Sequence, residues 1–347
     1  MNTAISIIAA LVLLSLLVMI HELGHYFAGR ALGFSILEFS IGMGPKLLKK
    51  KDKRGTEFSL RAFPIGGMCR FEGEDENVES EKSFNAQKVW KRIVVVLAGP
   101  LTNLVFAILL AFATLTAFGD FMPAIYEVNQ GSPAEAAGMQ QGDIITQIDG
   151  KPVRFYFQTV DMILAIKSED IAITVTRDGA EKQLYLENIY NEAQGKNIIG
   201  VTITTERMKF SAGESALRSV NYVTATMVET FRFFGRAIQG NASSSDAAGP
   251  VAIVAIISEA VRSSGETVLR QLVLISASLG IMNLLPIPAM DGGRLVFLVI
   301  EGIRGKPISR EKEGLIHFVG LILLFGLIIL LTFNDVGNLI NGTFGAS

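Results

Sequence analysis

The sequence predicts a multi-pass α-helical membrane protein with four transmembrane helices, one of them broken, a membrane-associated β-hairpin region and a small inserted α+β domain. Apolar residues make up 50% of its 347 residues and charged residues only 18%, a more apolar balance than soluble domains have. Three apolar runs, at 4–20, 93–118 and 315–333, approach or exceed the roughly 20 residues that cross a bilayer. A fourth run, at 272–285, stops at a pair of prolines.

These four runs are the predicted membrane helices. The first leads into His21, inside a metal-type motif, so we expect it to be retained rather than cleaved as a signal peptide. The second contains only Pro100 and Asn103 as misfits. The run 272–285 is too short to span a bilayer alone, and prolines follow it. We interpret it as a broken membrane helix, which is tolerated where it lines a site.

Lysine and arginine residues in short loops predict the orientation in a cell (plasma) membrane, because they concentrate on the cytoplasmic side. They flank 30–92 and occupy 301–314, while the first three residues and the tail after Thr332 have none. We therefore expect these two segments in the cytoplasm, and both termini and 119–266 outside. The basic residues that decide this are Arg30, Lys88, Lys91, Arg92, Arg304, Lys306, Arg310 and Lys312.

The segment 36–72 has the pattern of β structure. Phe58, Leu60 and Ala62 alternate with polar residues, and Gly66-Gly67 is typical of a turn. We expect a β-hairpin here, on the cytoplasmic side of the first two helices.

The segment 119–210 predicts the inserted α+β domain. Asp149-Gly150 and Asp178-Gly179 are hairpin turns between apolar strands, and Ser132-Pro133 opens a short helix. Amphipathic helices follow, which we place on the outer membrane surface. The predicted limits are 1–118 for the first two membrane helices and the hairpin, 119–210 for the inserted domain, 211–265 for the amphipathic surface helices, and 266–347 for the last two membrane helices.

The strongest chemical signal is His21-Glu22-Leu23-Gly24-His25. Side chains four residues apart share one face of a helix, so both imidazoles can bind one Zn²⁺ ion. Glu22 stands beside them, where it can act as a base. Ionisable groups are costly in hydrocarbon, which favours a metal site over an interfacial cap without a metal.

A catalytic zinc takes three protein ligands, so a third must come from elsewhere. Cys69 is a lone thiol in a small-residue turn, and His317 is typical of a membrane boundary. Asp291 is the better candidate, because the prolines before it break the helix and the glycines after it permit a tight turn. Asn283, just upstream, could hydrogen-bond a substrate carbonyl or an oxyanion.

The chain resembles the bacterial site-2 proteases, intramembrane zinc metalloproteases with an embedded PDZ domain, of the type that regulates sigma factors. The resemblance covers essentially the whole chain. It departs from the family at Met290, where leucine is usual, and in having one PDZ-like unit where some relatives have two. It rests on His21–His25, Gly42-Met43-Gly44-Pro45, Gly66-Gly67, Gly99-Pro100-Leu101-Thr102-Asn103, the PDZ-like segment, and Asn283 through Gly293.

The resemblance implies a zinc metalloendopeptidase that cuts peptide bonds in or near transmembrane segments, in regulated intramembrane proteolysis. The substrates would be single-span membrane proteins in the lipid bilayer, such as anti-sigma factors or remnant signal peptides. The net charge of −2 gives no sign of a nucleic-acid partner. The implied site residues are His21, His25 and Asp291 as zinc ligands, with Glu22 and Asn283 as catalytic residues.

Substrate binding is expected at two places. The hairpin around Gly66 and Gly67 could pair with an unwound substrate strand. Ile199-Gly200-Val201 is a candidate for the carboxylate-binding loop of the PDZ-like domain, since two apolar residues flank a glycine.

Two other functions fit parts of the pattern. The protein could be a non-catalytic metal-binding membrane scaffold with a PDZ-type partner-binding domain, although a structural site would not need Glu22 as a base. It could also be a zinc transporter, although its two halves show no internal repeat.

Overall fold

The computed structural model describes residues 2–74, 80–154, 156, 158–166, 168, 170–192, 194–240 and 248–340. The chain forms two compact units, one made of 1–111 with 222–347 and the other of 112–221. The first part of the chain contains helix α1 (Thr3–Leu32), strands β1 (Ile36–Lys51) and β2 (Glu57–Phe71), and helix α2 (Val89–Phe118).

The elements that follow belong mainly to the second unit. They are β3 (Asp120–Val128), α3 (Pro133–Ala136), β4 (Ile144–Ile148), β5 (Lys151–Pro152), α4 (Gln158–Leu164), β6 (Ile171–Arg177), β7 (Ala180–Leu186), β8 (Tyr190–Asn191), β9 (Lys196–Asn197) and β10 (Val201–Met208). The remaining helices are α5 (Ala212–Ile238), α6 (Pro250–Ser263), α7 (Gly265–Leu284), α8 (Asp291–Arg304) and α9 (Arg310–Ile340).

Four helices of the described residues are long and apolar enough to cross a membrane: α1, α2, α7 and most of α9. This confirms the predicted set of four apolar helices. The apolar run 272–285 is only part of the third of them, because α7 begins at Gly265 and has 20 residues. Ser264 caps it by accepting a hydrogen bond from the Thr267 backbone N–H. Arg270 pairs with Glu266 one turn away, which keeps two charged residues in an otherwise apolar helix.

Strands β1 and β2 are both bent, so that they form more than a simple hairpin. The first half of β1, at 36–41, pairs with 67–71 on one side and with 57–60 on the other, and the second half of β1 pairs with 57–63. The segment 67–71 is therefore an edge of this small sheet. Leu60 is internal, because it pairs with both Ile41 and Leu48.

The chain reverses near Gly66-Gly67, as predicted, because 57–60 and 67–71 pair with the same part of β1 in opposite directions. The chain also reverses at 52–56, where the Asp52 carboxylate accepts hydrogen bonds from the backbone N–H groups of Arg54 and Thr56. Gly66 lies at the later of the two reversals, inside the residues of β2, with a φ of +81° that glycine adopts without steric cost.

The second unit contains a six-stranded antiparallel sheet with the path β10-β3-β4-β6-β7, and β5 pairs with β4. Asp149-Gly150 and Asp178-Gly179 form the expected turns, with positive φ at all four residues. Ser132 caps α3 as expected. The core is apolar, and the fully buried carboxylate of Asp143 is bound by Arg177.

The break between α7 and α8 sets the direction of Asp291. Extended backbone at Leu285 ends α7, and Met290 is again extended before Asp291 begins α8. Gly292 is required at this point, because a Cβ there would collide with the backbone oxygens of Leu285 and Leu284. His317 fixes the loop by accepting a hydrogen bond from the Ala289 N–H at 2.9 Å.

Candidate metal centre

Three side chains from two helices meet at one point in the first unit. His21 and His25 lie one turn apart on α1, and their Nε2 atoms are 3.2 Å apart. The Asp291 Oδ2 atom, at the start of α8, lies 3.0 Å from His21 Nε2 and 3.3 Å from His25 Nε2. They form the one group of three potential metal ligands found among the described residues.

This triangle fits a zinc ion. Ligand atoms about a tetrahedral zinc, with bonds of about 2.0–2.1 Å, lie roughly 3.3–3.4 Å from one another, close to the separations seen here. The Asp291 Oδ2 atom is buried and accepts no hydrogen bond from the described residues. Two imidazoles and a carboxylate are also a donor set typical of catalytic zinc.

Helix α2 packs closely against this group. A Cβ at Gly99 would collide with the Nε2 atoms of both histidines, so a residue without a side chain is needed there. A Cβ at Gly24, on the facing side of α1, would likewise collide with the Ala98 backbone oxygen. The two glycines let α1 and α2 approach at the level of the triangle.

The other ring nitrogen of each histidine contacts α2. His25 Nδ1 lies 2.8 Å from the Val95 backbone oxygen, so it must carry the proton and donate. This leaves the His25 Nε2 lone pair for a metal. His21 Nδ1 lies 3.4 Å from the Asn103 amide nitrogen. Sequence reasoning noted Asn103 as a polar misfit in an apolar run and as the end of the Gly99–Asn103 motif of the resemblance, but it assigned Asn103 no role.

Glu22 lies between the histidines and the edge of the small sheet. Its Cγ would be 3.2 Å from a Cβ placed on Gly67, and its carboxylate lies beside the Cys69 backbone amide. The base candidate and the sheet edge are therefore neighbours, both next to the metal-ligand triangle.

The comparisons with known proteins identify the family. The model of peptidase family M50 matches residues 9–327. A protein of Agrobacterium fabrum, provisionally named a zinc metalloprotease, is 31% identical over 363 residues, which cover 96% of each chain. A protein of Clostridium acetobutylicum with the same provisional name is 32% identical over 95% of this chain and 97% of that one. The zinc metalloprotease RasP of Geobacillus kaustophilus is 28% identical over 96% and 98%.

The chain belongs to peptidase family M50. This confirms the predicted metalloprotease and the predicted relationship, and the names of the relatives agree with the predicted zinc cofactor. A crystal structure of a PDZ domain from Listeria innocua is 21% identical, over 25% of this chain and 98% of that one. Its TM-score of 0.22 is too low to support an argument about the fold.

Other residues that the sequence analysis considered are not part of the metal-ligand group found among the described residues. The Asn283 amide donates to the Leu279 backbone oxygen at 3.0 Å, within α7. Cys69 and His317 are absent from the described metal-ligand group, in agreement with their rejection as ligands. The backbone oxygens of Ile199 and Gly200 accept hydrogen bonds from Ala134 and Asn129 in the second unit, and a peptide-binding role for this loop stays a prediction.

A polar cavity of about 480 Å³ opens beside Asp291. Two ion pairs line it, one between Arg294 and Glu74 and the other between Arg92 and Glu301. The first pair joins α8 to the loop after β2, because Glu74 also accepts a hydrogen bond from the Phe71 N–H. The cavity wall thus connects the start of α8 to the sheet edge.

Proposed function

We propose that this M50 peptidase is an intramembrane zinc metalloprotease that hydrolyses peptide bonds in or near transmembrane segments of single-span membrane proteins. The observation that carries the proposal is the triangle of His21, His25 and Asp291, with Glu22 beside it. Both histidines and Glu22 lie on α1, which is long and apolar enough to cross a membrane. A carboxylate next to the ligands is what hydrolysis needs and what a metal-binding scaffold does not.

The residues divide the chemistry between them. His21, His25 and Asp291 would hold the zinc, which would polarise the scissile carbonyl and lower the pKa of water to roughly 7. Glu22 would take the proton of the attacking water and pass it to the leaving amine. Asn283, in the last turn of α7, would hydrogen-bond a substrate carbonyl once the substrate is bound.

A substrate helix must unwind before its peptide bonds can be reached, because a helix engages its own carbonyls in hydrogen bonds. The sheet edge at 67–71 would receive the unwound segment as an added strand. Its position beside Glu22 supports this proposal, because a strand paired there would lie next to the metal-ligand triangle. Gly66 and Gly67 would contribute by bending β2 and by keeping the edge free of side chains.

Proline substitutions test the strand-addition step. Alternate residues of an edge strand direct their N–H groups to opposite sides, so Met68→Pro and Cys69→Pro remove donors on different sides. We expect one of the two to slow cleavage much more than the other, while both retain zinc. Leu60→Pro, on an internal segment, serves as the control for damage to the sheet. Equal cleavage by the two edge variants would contradict strand addition.

The second unit, with its antiparallel sheet and short helices, would be the PDZ-like domain, with Ile199-Gly200-Val201 as its carboxylate-binding loop. We place it and both termini outside the plasma membrane, with the metal centre towards the cytoplasm. Anti-sigma factors and remnant signal peptides are the substrate classes that the proposal favours. The domain limits remain those predicted from the sequence.

Replacing Glu22 by Gln tests the function directly. Glutamine keeps the shape and loses the base, so zinc content should equal that of the parent while cleavage of a single-span substrate is lost. Turnover near the parent rate would show that Glu22 is not the base. A scaffold would show no cleavage in either protein. If the protein were a zinc transporter, both the parent and the Glu22→Gln variant would move zinc across the membrane of vesicles. Membrane proteins that accumulate only with the variant would identify substrates.

A further inference from the structure

The amide of Asn103 is the most confined polar side chain near the ligand triangle. Asn103 is fully buried in α2, and its Nδ2 atom lies 3.4 Å from His21 Nδ1. Its Oδ1 atom is buried and has no hydrogen-bond partner among the described residues. A buried amide oxygen without a partner is unfavourable, so this arrangement needs an explanation.

The chemistry of His21 conflicts with an amide nitrogen at that place. His21 Nε2 is the atom that faces Asp291 Oδ2, at 3.0 Å. A neutral imidazole carries one proton, so an Nε2 atom that offers its lone pair to a metal leaves the proton on Nδ1. The group opposite His21 Nδ1 must then accept a hydrogen bond, and an NH₂ group cannot.

A half-turn of the amide places an acceptor opposite His21 Nδ1. The oxygen and nitrogen of an asparagine amide have nearly the same shape, and their assignment depends on the hydrogen bonds that they make. Exchanging them brings Oδ1 to His21 Nδ1–H and gives the buried oxygen a partner. The Asn103 backbone is fixed independently, because its oxygen accepts a hydrogen bond from the Ser276 hydroxyl at 2.9 Å.

We propose that Asn103 is a positioning residue of the metal centre, whose Oδ1 accepts the His21 Nδ1–H and so holds His21 Nε2 towards the zinc. Val95 does the same for His25 through its backbone oxygen. Val95, Gly99 and Asn103 follow one another at four-residue spacing on α2, opposite the two histidines at four-residue spacing on α1. One stripe of α2 thus supplies the outer contacts of both imidazoles.

The inference rests on the proposed ligand set, and its test is zinc affinity in the purified full-length protein, measured by competition with a chelator. Asn103→Leu removes the acceptor, and we expect zinc affinity to fall about 10–100-fold, as is usual for outer contacts of ligating histidines. Asn103→Asp keeps the size and can only accept, so it should bind zinc within a few-fold of the parent. Ser276→Ala, which removes the bond to the Asn103 backbone, is the matched control and should leave zinc affinity unchanged.

The Asp variant decides the orientation of the amide. If Asn103→Asp loses as much zinc affinity as Asn103→Leu, the NH₂ group is needed and the proposal is overturned. A Leu variant with unchanged zinc affinity but a lower Tm without zinc would show a packing role only. Failure of the ligand set is distinguishable, because Asp291→Ala would then also leave zinc affinity unchanged. Should the Leu variant not fold, the Asp variant still gives the answer.

Discussion

The two units of the protein each contain a carboxylate in a shielded position, and the two differ in what surrounds them. Asp143 in the second unit accepts hydrogen bonds from Arg177 on both of its oxygens, at 2.6 and 2.7 Å, and one from the Gln140 N–H. Asp291 in the first unit has an oxygen without any hydrogen-bond donor among the described residues, facing two imidazoles. Asp143 therefore stabilises the fold, whereas Asp291 keeps an oxygen available for a ligand.

The largest effect should come from Asp291→Ala. Loss of a direct ligand should lower zinc affinity by more than the roughly 10–100-fold expected for outer contacts, and cleavage should be abolished. Metal analysis after dialysis and a cleavage assay with a single-span substrate measure the two effects. Full activity of this variant would show that Asp291 is not a zinc ligand, and the proposed difference between Asp291 and Asp143 would then be wrong.

Asp143→Ala should have a smaller and different effect. It leaves Arg177 without its partner, and breaking a buried ion pair of this kind costs roughly 3–5 kcal/mol of folding free energy. Limited proteolysis of the full-length protein should detect earlier opening of the second unit. Zinc content should equal that of the parent. A variant that loses zinc would show that the division of roles between the two carboxylates is wrong.

Glu38 in β1 is a third buried carboxylate and should show the smallest effect, which depends on pH. Burial raises its pKa, but hydrogen bonds from Ser59, Lys46 and Arg61 outweigh it and lower the pKa to about 2. Because this is below the ordinary value of about 4.3, the stabilisation is full above pH 5 and is lost as the pH falls towards 2.

Glu38→Gln should therefore cost roughly 1.5–3 kcal/mol at pH 7 and flatten the stability profile between pH 5 and pH 2. Thermal unfolding followed by circular dichroism across this range, in the variant and in the parent, measures it. If Glu38→Gln still loses stability steeply between pH 5 and pH 2, groups other than Glu38 cause that loss.

The sequence was sufficient for those parts of the site that depend on local spacing. The four-residue interval predicts that His21 and His25 share a face, and the prolines and glycines around Asp291 predict a break that redirects it.

Asn103 and Gly99 could not be assigned roles, because their contacts lie on another helix. The turn at Gly66-Gly67 could be predicted from its glycines, but the pairing of both flanking segments with the first half of β1 could not, because that pairing is not local. The apolar run 272–285 is shorter than α7 because Arg270 interrupts it, and the pairing of Arg270 with Glu266 makes both charges compatible with the helix.

The close approach of α2 at Gly99 has a genetic consequence. Every missense change at that codon introduces a Cβ carbon, and even alanine would press against the Nε2 atoms of both histidines. Position 99 therefore has no mild missense allele, although the residue carries no functional group. The glycine at position 326 in α9 shows the opposite case, because a Cβ there meets nothing within 4 Å. A survey of spontaneous loss-of-function alleles should recover changes at the first position and miss changes at the second.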